Sequence, residues 1–433
     1  MKRIKTSAKW VALCLLGLLA IQGVATVYYG RQVEQKLNQL HRIGMPVTRT
    51  EIIPRLPAHA KNAAPLYQKS FSLLPPELSN RKLRTLAGPS FTAQSLKDAK
   101  GILAECDQAM AVAQKASAIP DAVFPVNWSD TPGYLLPHLA NLRKLCTLFT
   151  IRALVFSSAG HSDMAVESLV IALRIARVPH NEPCFISALM QSKMLETAMQ
   201  ALETVLSSQT PSYPTMKALD AELSKVDATL MMSFKIAFQG ELTAGIEYFN
   251  IARTHGLNVT ENKTEPQMIR PTRPLIYMDE LNYIDAMVDL SKRISYPRRL
   301  MPAAKVDDPT DKWYASVSKL LFPYFFNATL TRDSLIARAG LERTALALKL
   351  HRKQSGKFPP SLDSVKTVSG TSLPQDVFSG RSFGYIAGRR SIHIYSVGPD
   401  LTDNQGKALK GDVNLPGVGD LVISMTTESS LSH

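Results

Sequence analysis

From Trp10 to Tyr29 the chain is an uncharged apolar run built mainly from Val, Leu, Ala and Ile. A helix of about 20 residues rises about 30 Å, the thickness of a bilayer's hydrocarbon layer, so this run predicts a transmembrane helix. Lys2, Arg3, Lys5 and Lys9 precede it, and Trp10, Tyr28 and Tyr29 sit at its two ends. That arrangement places the N-terminus in the cytoplasm and aromatic residues at both interfaces. Gly23-Val24-Ala25 also suits cleavage of a secretory signal. Either reading exports the rest of the chain. A lipoprotein signal fits less well, because Leu13 stands before Cys14 where a small residue is needed.

Beyond the run, Arg31 to Arg42 continues a helical pattern, and Gly44, Pro46, Pro54 and Pro57 then break it, predicting a stalk. Asn62 before Ala63-Ala64-Pro65 reads as a helix cap, with apolar Leu66, Tyr67, Phe71 and Leu74 following and Pro75-Pro76 ending the element. Phe91 to Lys115 predicts one further helix. The strongest periodicity lies between His138 and Leu206. Leu142, Leu145, Phe149, Ala153 and Phe156 share one helical face, Ala165, Leu169, Leu173 and Ala176 a second, and Phe185, Leu189, Leu195, Met199, Leu202 and Leu206 a third. Gly160-His161-Ser162-Asp163 separates the first two helices, and Pro179 to Pro183 the next two. An up-down helical bundle follows, and a tetratricopeptide-like hairpin is the alternative, without a repeating period along the chain. Pro214 to Arg253 predicts a long helix broken near Gly240, and Gly256 to Pro274 a loop carrying two formal glycosylation sequons at Asn258 and Asn262. Asp279 to Ile294 returns to helix. Trp313 to Phe326 is apolar and aromatic, long enough for a buried helix and too short to span a bilayer.

The last strong helix is Asp333 to Lys353, and it is apolar on two sides. Leu335, Ala339, Leu346 and Leu350 line one, and Ala337, Leu341, Ala345 and Leu348 the other, so the helix is expected to be covered on both. Gly356 ends it. Phe383 to Ile386 and Ser391 to Ser396, joined through Ala387-Gly388-Arg389-Arg390, predict a hairpin, and Leu421 to Ser424 a third strand. The pattern divides the chain into a basic segment and membrane helix (1–30), a stalk (31–60), a helical domain (61–310), a helix-plus-sheet module (311–426) and a tail (427–433). The fold class is mainly α with a small C-terminal α+β module.

Composition changes this picture little. The 45% hydrophobic and 20% charged content is that of a folded protein. The net charge of +14 is partly explained by the N-terminal flank, and Lys292, Arg293, Arg298, Arg299 and Lys305 read as a solvated face without interleaved aromatics. Nucleic acid is therefore not an expected partner. The four cysteines, at 14, 106, 146 and 184, show neither a CxxC pair nor zinc spacing; Cys14 lies in the apolar run, and the other three, an odd number that allows at most one disulfide, read as buried packing residues. The nine histidines include no HExxH, and GxSxG, a phosphate-cradling glycine loop and a dinucleotide fingerprint are all missing. The one local cluster of chemistry-bearing groups is His180-Asn181-Glu182-Pro183-Cys184, a base, an acid and a thiol within one turn. Pro183 marks a helix start there, which argues for packing over catalysis.

The C-terminal residues carry a resemblance. A long helix, then Gly356-Lys357-Phe358-Pro359-Pro360-Ser361-Leu362, Leu373-Pro374-Gln375-Asp376-Val377-Phe378-Ser379-Gly380, a hairpin, Tyr395-Ser396-Val397-Gly398-Pro399-Asp400 and Gly419-Asp420-Leu421-Val422 resemble the C-terminal half of the major pseudopilin of type II secretion. The whole chain, and Arg152 to Leu206 within it, resembles uncharacterised membrane-anchored bacterial envelope proteins that end in such a module. Two departures stand out: about 300 residues intervene between the apolar run and the module, and that run lacks the prepilin Gly-Phe-Thr-Leu-x-Glu signal. The resemblance implies the module's fold and a calcium site in the loop after the Tyr-Ser-x-Gly strand, with Asp400, Asp403, Asn404 and Asp420 as candidate ligands. The alternative for those residues is a polar turn. The expected role is protein–protein interaction or scaffolding in the cell envelope, with an extracytoplasmic hydrolase or an accessory part of a secretion apparatus as alternatives.

Overall fold

The computed structural model describes residues 2–88, 90–128, 136–255, 273–300, 309–321, 328–388, 391–408 and 419–426. Both sequons, the Arg389-Arg390 tip of the hairpin, Lys305, the end of the Trp313 to Phe326 segment and the 427–433 tail lie outside them. In chain order the described helices are α1 (Lys2–Arg42), α2 (Ala64–Ser72), α3 (Asn80–Leu86), α4 (Ala93–Glu105), α5 (Asp107–Ser117), α6 (Pro137–Ser158), α7 (Ser162–Arg177), α8 (Phe185–Ser208), α9 (Tyr213–Leu223), α10 (Val226–His255), α11 (Arg273–Ile294), α12 (Ser318–Leu321) and α13 (Ala328–Ser355). Strands β1 (Gly384–Ala387), β2 (Ser391–Ser396) and β3 (Leu421–Thr426) then form one antiparallel sheet in the order β1-β2-β3. The fold is mainly α with a small C-terminal sheet, as the periodicity predicts.

Helix α1 has two parts. Among the described residues it is the one helix long and apolar enough to cross a membrane, and its large apolar side chains from Trp10 to Tyr28 are mostly exposed. From Gly30 onward it packs against α11: Gly30 faces the Tyr277 ring, Lys36 Nζ pairs with Asp285 Oδ1 at 2.5 Å, and Val33 and Leu40 are buried. The segment expected to stand off as a stalk is thus held to the helical domain. Arg49 strengthens the attachment by reaching Glu247 Oε2 at 3.0 Å and the Trp128 carbonyl at 2.8 Å.

The N-cap of α2 is Ala63, without a side-chain cap; Asn62, one residue earlier, accepts from the Ala64 N–H through Oδ1 at 3.0 Å, and the same side chain bonds both backbone groups of Val123. The single helix predicted over Phe91 to Lys115 is two. Cys106 interrupts it with φ −98° and ψ 3°, a turn that brings Ile102 and Ala109 into one core. Helices α6, α7 and α8 pack in sequence with the predicted faces inward, except that Leu189 is exposed. Gly160 turns the chain between α6 and α7 at φ +80°, while Asp163 accepts from the Ser212 N–H at 2.7 Å and offers α7 no cap. Gly240 does not break a helix. The chain breaks between α9 and α10, and α10 runs unbroken past Gly240 because the missing side chain lets it lie against the Pro183 backbone.

Helix α13 is the link between helical domain and module. Leu335, Ile336, Ala339 and Leu346 are buried in the helical core, and Ala337, Leu341, Ala345 and Leu348 in the module core with Ile392, Ile394, Leu421 and Ile423. Both predicted faces are covered. The strand register pairs Tyr385 with Ile394 and Ile394 with Ile423, so one face of the sheet packs on α13.

Placing a methyl group at Gly240 would drive it into the Pro183 carbonyl, which is backbone and cannot rotate away. Gly240→Ala is therefore expected to destabilise the protein by about 1–3 kcal/mol despite its better helix propensity. A thermal melt showing equal or higher stability would contradict this packing.

Candidate functional site

The module's sequence signature is built around Asp376. Its buried carboxylate accepts from Phe378 N–H (3.0 Å), Ser396 Oγ (2.7 Å), Ser379 N–H (3.3 Å) and Val397 N–H (3.2 Å). One side chain therefore fastens the 376–380 turn to the end of β2. Gly398 then turns at φ +73° so closely that an added Cβ would meet the Gly419 carbonyl at 2.6 Å.

This turn opens the loop that carries the candidate calcium ligands. Asp400 accepts from the Thr402 N–H (3.0 Å), the Asn404 amide (3.1 Å) and the Gly419 N–H (3.2 Å). Asp403 accepts from the Gln405 N–H at 2.8 Å. Asp420 is buried and takes the Asn404 N–H at 3.1 Å and the Gly406 N–H at 2.7 Å. Burial pushes the Asp420 carboxyl up from its ordinary pKa, and those two amides pull it back. The loop gathers all four predicted residues, but as a turn whose carboxylates are satisfied by hydrogen-bond donors. Among the described residues no three His, Cys, Asp or Glu side chains group where a metal ion could be held. Calcium requires six to eight converging oxygens, and this arrangement does not fit it.

The His180–Cys184 cluster is drawn apart by its partners. His180 Nδ1 lies 3.0 Å from the Arg177 carbonyl, and burial lowers the imidazole pKa. Glu182 turns the other way: His138 Nε2 is 2.7 Å from its Oε1, and Ser187 Oγ donates to its Oε2 at 2.5 Å. His138 also stacks on Phe124 with ring centroids 4.3 Å apart. The order Ser–Glu–His places the carboxylate between the hydroxyl and the imidazole, so His138 does not reach Ser187 and the arrangement is not that of a Ser–His–Asp triad. Cys184 is buried at the start of α8. Cys106 and Cys146 are likewise free and buried, and burial pushes their thiols up to about 11 and about 12, away from the reactive thiolate form.

A third group escaped the sequence reading. Between α8, α13 and β3 lies a cavity of about 230 Å³, bounded by Leu189, Lys193, Glu196, Leu335, Arg338 and Leu421. Arg338 pairs with Glu203 at 3.5 Å. One helical turn beyond, Glu342 is fully buried, and neither of its carboxylate oxygens has a hydrogen-bond partner. Burial raises the Glu342 pKa well above 4.5, Glu203 raises it further, and Arg338 opposes both. Burial raises Glu203 as well. The three side chains come from helices far apart in sequence, and no local motif marks them. The sole signal is a glutamate beside Leu341, within the two-faced apolar pattern of α13.

Comparison with known proteins finds no matching family model, no curated relative and no solved structure of significant similarity.

Two outcomes follow from these geometries. Millimolar calcium is expected to leave the melting temperature within about 1 °C of the calcium-free value, because a ligand held only by the fold must raise stability. A saturable rise in a calcium titration would show that the loop rearranges into a site. Glu342 gives the second outcome. Its folded pKa lies above the unfolded value, so the fold holds a proton that the unfolded chain releases above pH about 4.5. Its penalty is absent below that pH and grows as the pH rises towards the folded pKa. Glu342→Gln should therefore raise the melting temperature by roughly 2–6 °C at pH 8 and by less at pH 5. Parallel pH profiles for the two proteins would refute a buried, protonated Glu342.

Proposed function

We propose that this chain is a membrane-anchored scaffold of the cell envelope, with its helical domain and sheet module outside the cytoplasm as docking surfaces for other proteins. The observation that carries the reading is the continuity of α1. Its apolar length passes without a break into a packed helix against α11, so the domain is presented at a fixed height and orientation. A freely tethered enzyme does not need such a mounting, whereas a platform for partners does. The basic flank at Lys2, Arg3, Lys5 and Lys9 supports the outward orientation. The pseudopilin-like module is read as a folding unit borrowed for this purpose. An accessory place in a secretion apparatus rests on that likeness alone.

The observation that favours an extracytoplasmic hydrolase is the Glu203–Arg338–Glu342 group. Two carboxylates with raised pKa beside one arginine are the raw material of acid–base catalysis. Against it, Glu342 does not border the cavity, so substrate has no route to the acid.

The deciding experiment crosslinks the tagged protein in intact membranes, purifies it and maps the crosslinked residues. The expected result is a reproducible protein adduct on exposed helical residues, unchanged by Glu342→Gln. Recovery of the chain alone, with turnover of a small ester or amide that Glu342→Gln abolishes, would overturn the scaffold reading.

A further inference from the structure

Trp313 is 77% exposed, more than any apolar side chain of the candidate span, where Val24 reaches 72%. The sequence leads one to expect this segment to be buried. Its place in the fold explains the exposure. Helices α1 and α11 run parallel, since Gly30 faces Tyr277 and Lys36 pairs with Asp285 further along both. Depth along α1 can therefore be read across to α11. The apolar run ends at Tyr29, level with the start of α11.

The 309–318 segment is fastened to that end of α11. Asp279 accepts from the Val317 N–H (2.8 Å), the Ser318 N–H (3.3 Å) and Ser318 Oγ (2.5 Å), and the Asn282 amide donates to the Pro309 carbonyl at 2.8 Å. Asp279 and Asn282 stand two and five residues beyond Tyr277, about 3 and 8 Å along the helix axis at 1.5 Å per residue. The headgroup layer is about 5–8 Å deep on each side of the hydrocarbon. The points that fasten the turn bearing Trp313 thus sit within one headgroup depth of the end of the apolar run. Tyr314 packs edge-on against Trp313, and the flanking lysines are Lys312 and the exposed Lys319. An indole with an apolar body and one N–H donor, next to amines that pair with lipid phosphates, is suited to that layer.

We propose that the 312–319 turn is a second membrane contact, with Trp313 seated among the lipid headgroups of the leaflet from which α1 emerges. This rests on the anchor reading of α1 and adds to it. The domain then meets the bilayer at two points, which fixes its rotation about the α1 axis as well as its height.

The test uses the full chain in vesicles of phosphatidylcholine and phosphatidylglycerol doped with headgroup-spin-labelled lipid. The protein has three tryptophans, at 10, 128 and 313, so Trp10→Phe with Trp128→Phe isolates Trp313, and Trp128→Phe with Trp313→Phe isolates Trp10. Both single tryptophans should lose about a third or more of their emission to the label, as interfacial indoles do. Quenching of Trp10 without quenching of Trp313 would overturn the second contact and leave the anchor standing. Trp313 shielded from aqueous iodide but not quenched by the lipid label would point to a protein covering it, and also overturns the proposal. If neither tryptophan is quenched, the anchor reading falls and takes this inference with it. Should Trp128→Phe fail to fold, the wild-type and Trp313→Phe proteins give the Trp313 contribution by difference.

Discussion

Helix α13 carries two apolar faces, and the architecture depends on that constraint. A helix with one apolar stripe belongs to a single core. With two, it has to be sandwiched, and here one side completes the helical domain while the other forms the floor of the sheet module. A three-stranded sheet of this size would not hold together alone, because such sheets need a packed face. The module therefore cannot be treated as a loosely appended unit. Gly340 marks how close the approach is: a Cβ there would come within 2.7 Å of the Phe383 ring at the entrance to β1.

Much of this was legible because burial on both faces leaves a regular imprint. Leu335, Ala339 and Leu346 against Ala337, Leu341, Ala345 and Leu348 is a pattern that no solvent-facing helix tolerates. The alternation in Ile392 and Ile394 and the length of the Trp10 to Tyr29 run are signals of the same kind. The misses share a different cause. Gly240 looks like a helix breaker when propensity is weighed alone, yet its role is set by Pro183, which is distant in sequence. Cys106 carries no turn signal, and its interruption of α4 and α5 follows from fitting both helices to one core. Trp313 to Phe326 has the composition of a buried helix, but Asp279 holds its first part at the edge of the domain. In each case a tertiary contact outweighed local preference.

The candidate site was legible as a location but not as chemistry. Asp and Asn are equally the residues of calcium loops and of turns capped by their own backbone, and spacing does not separate them. What separates them is where the donors point. Asp376 and Asp400 draw amide N–H groups from residues that follow them, and Asp420 from Asn404 and Gly406 in the loop before it. Each N–H so directed takes one of the two lone pairs on its carboxylate oxygen and fixes the side chain in the turn. The motif Leu-Pro-x-Asp-x-Phe-Ser-Gly is then explained as a fastening between a turn and a strand, with Asp376 at its centre.

The parallel packing of α1 on α11 does for the whole domain what Asp376 does for the module. A helix leaving a bilayer through a flexible stalk transmits neither height nor rotation. One buried at Val33 and Leu40 and pinned at Lys36 transmits height and tilt, because bending it would break those contacts. Rotation about its own axis remains free, since lipid offers nothing to resist it. A rigid platform that must present one surface to a partner in the same membrane needs that last degree of freedom removed, and one contact off the axis is sufficient. Trp313, on a turn tied to α11 beside α1, lies off that axis. Under the proposed anchoring, the exposure of a tryptophan there follows from the mounting.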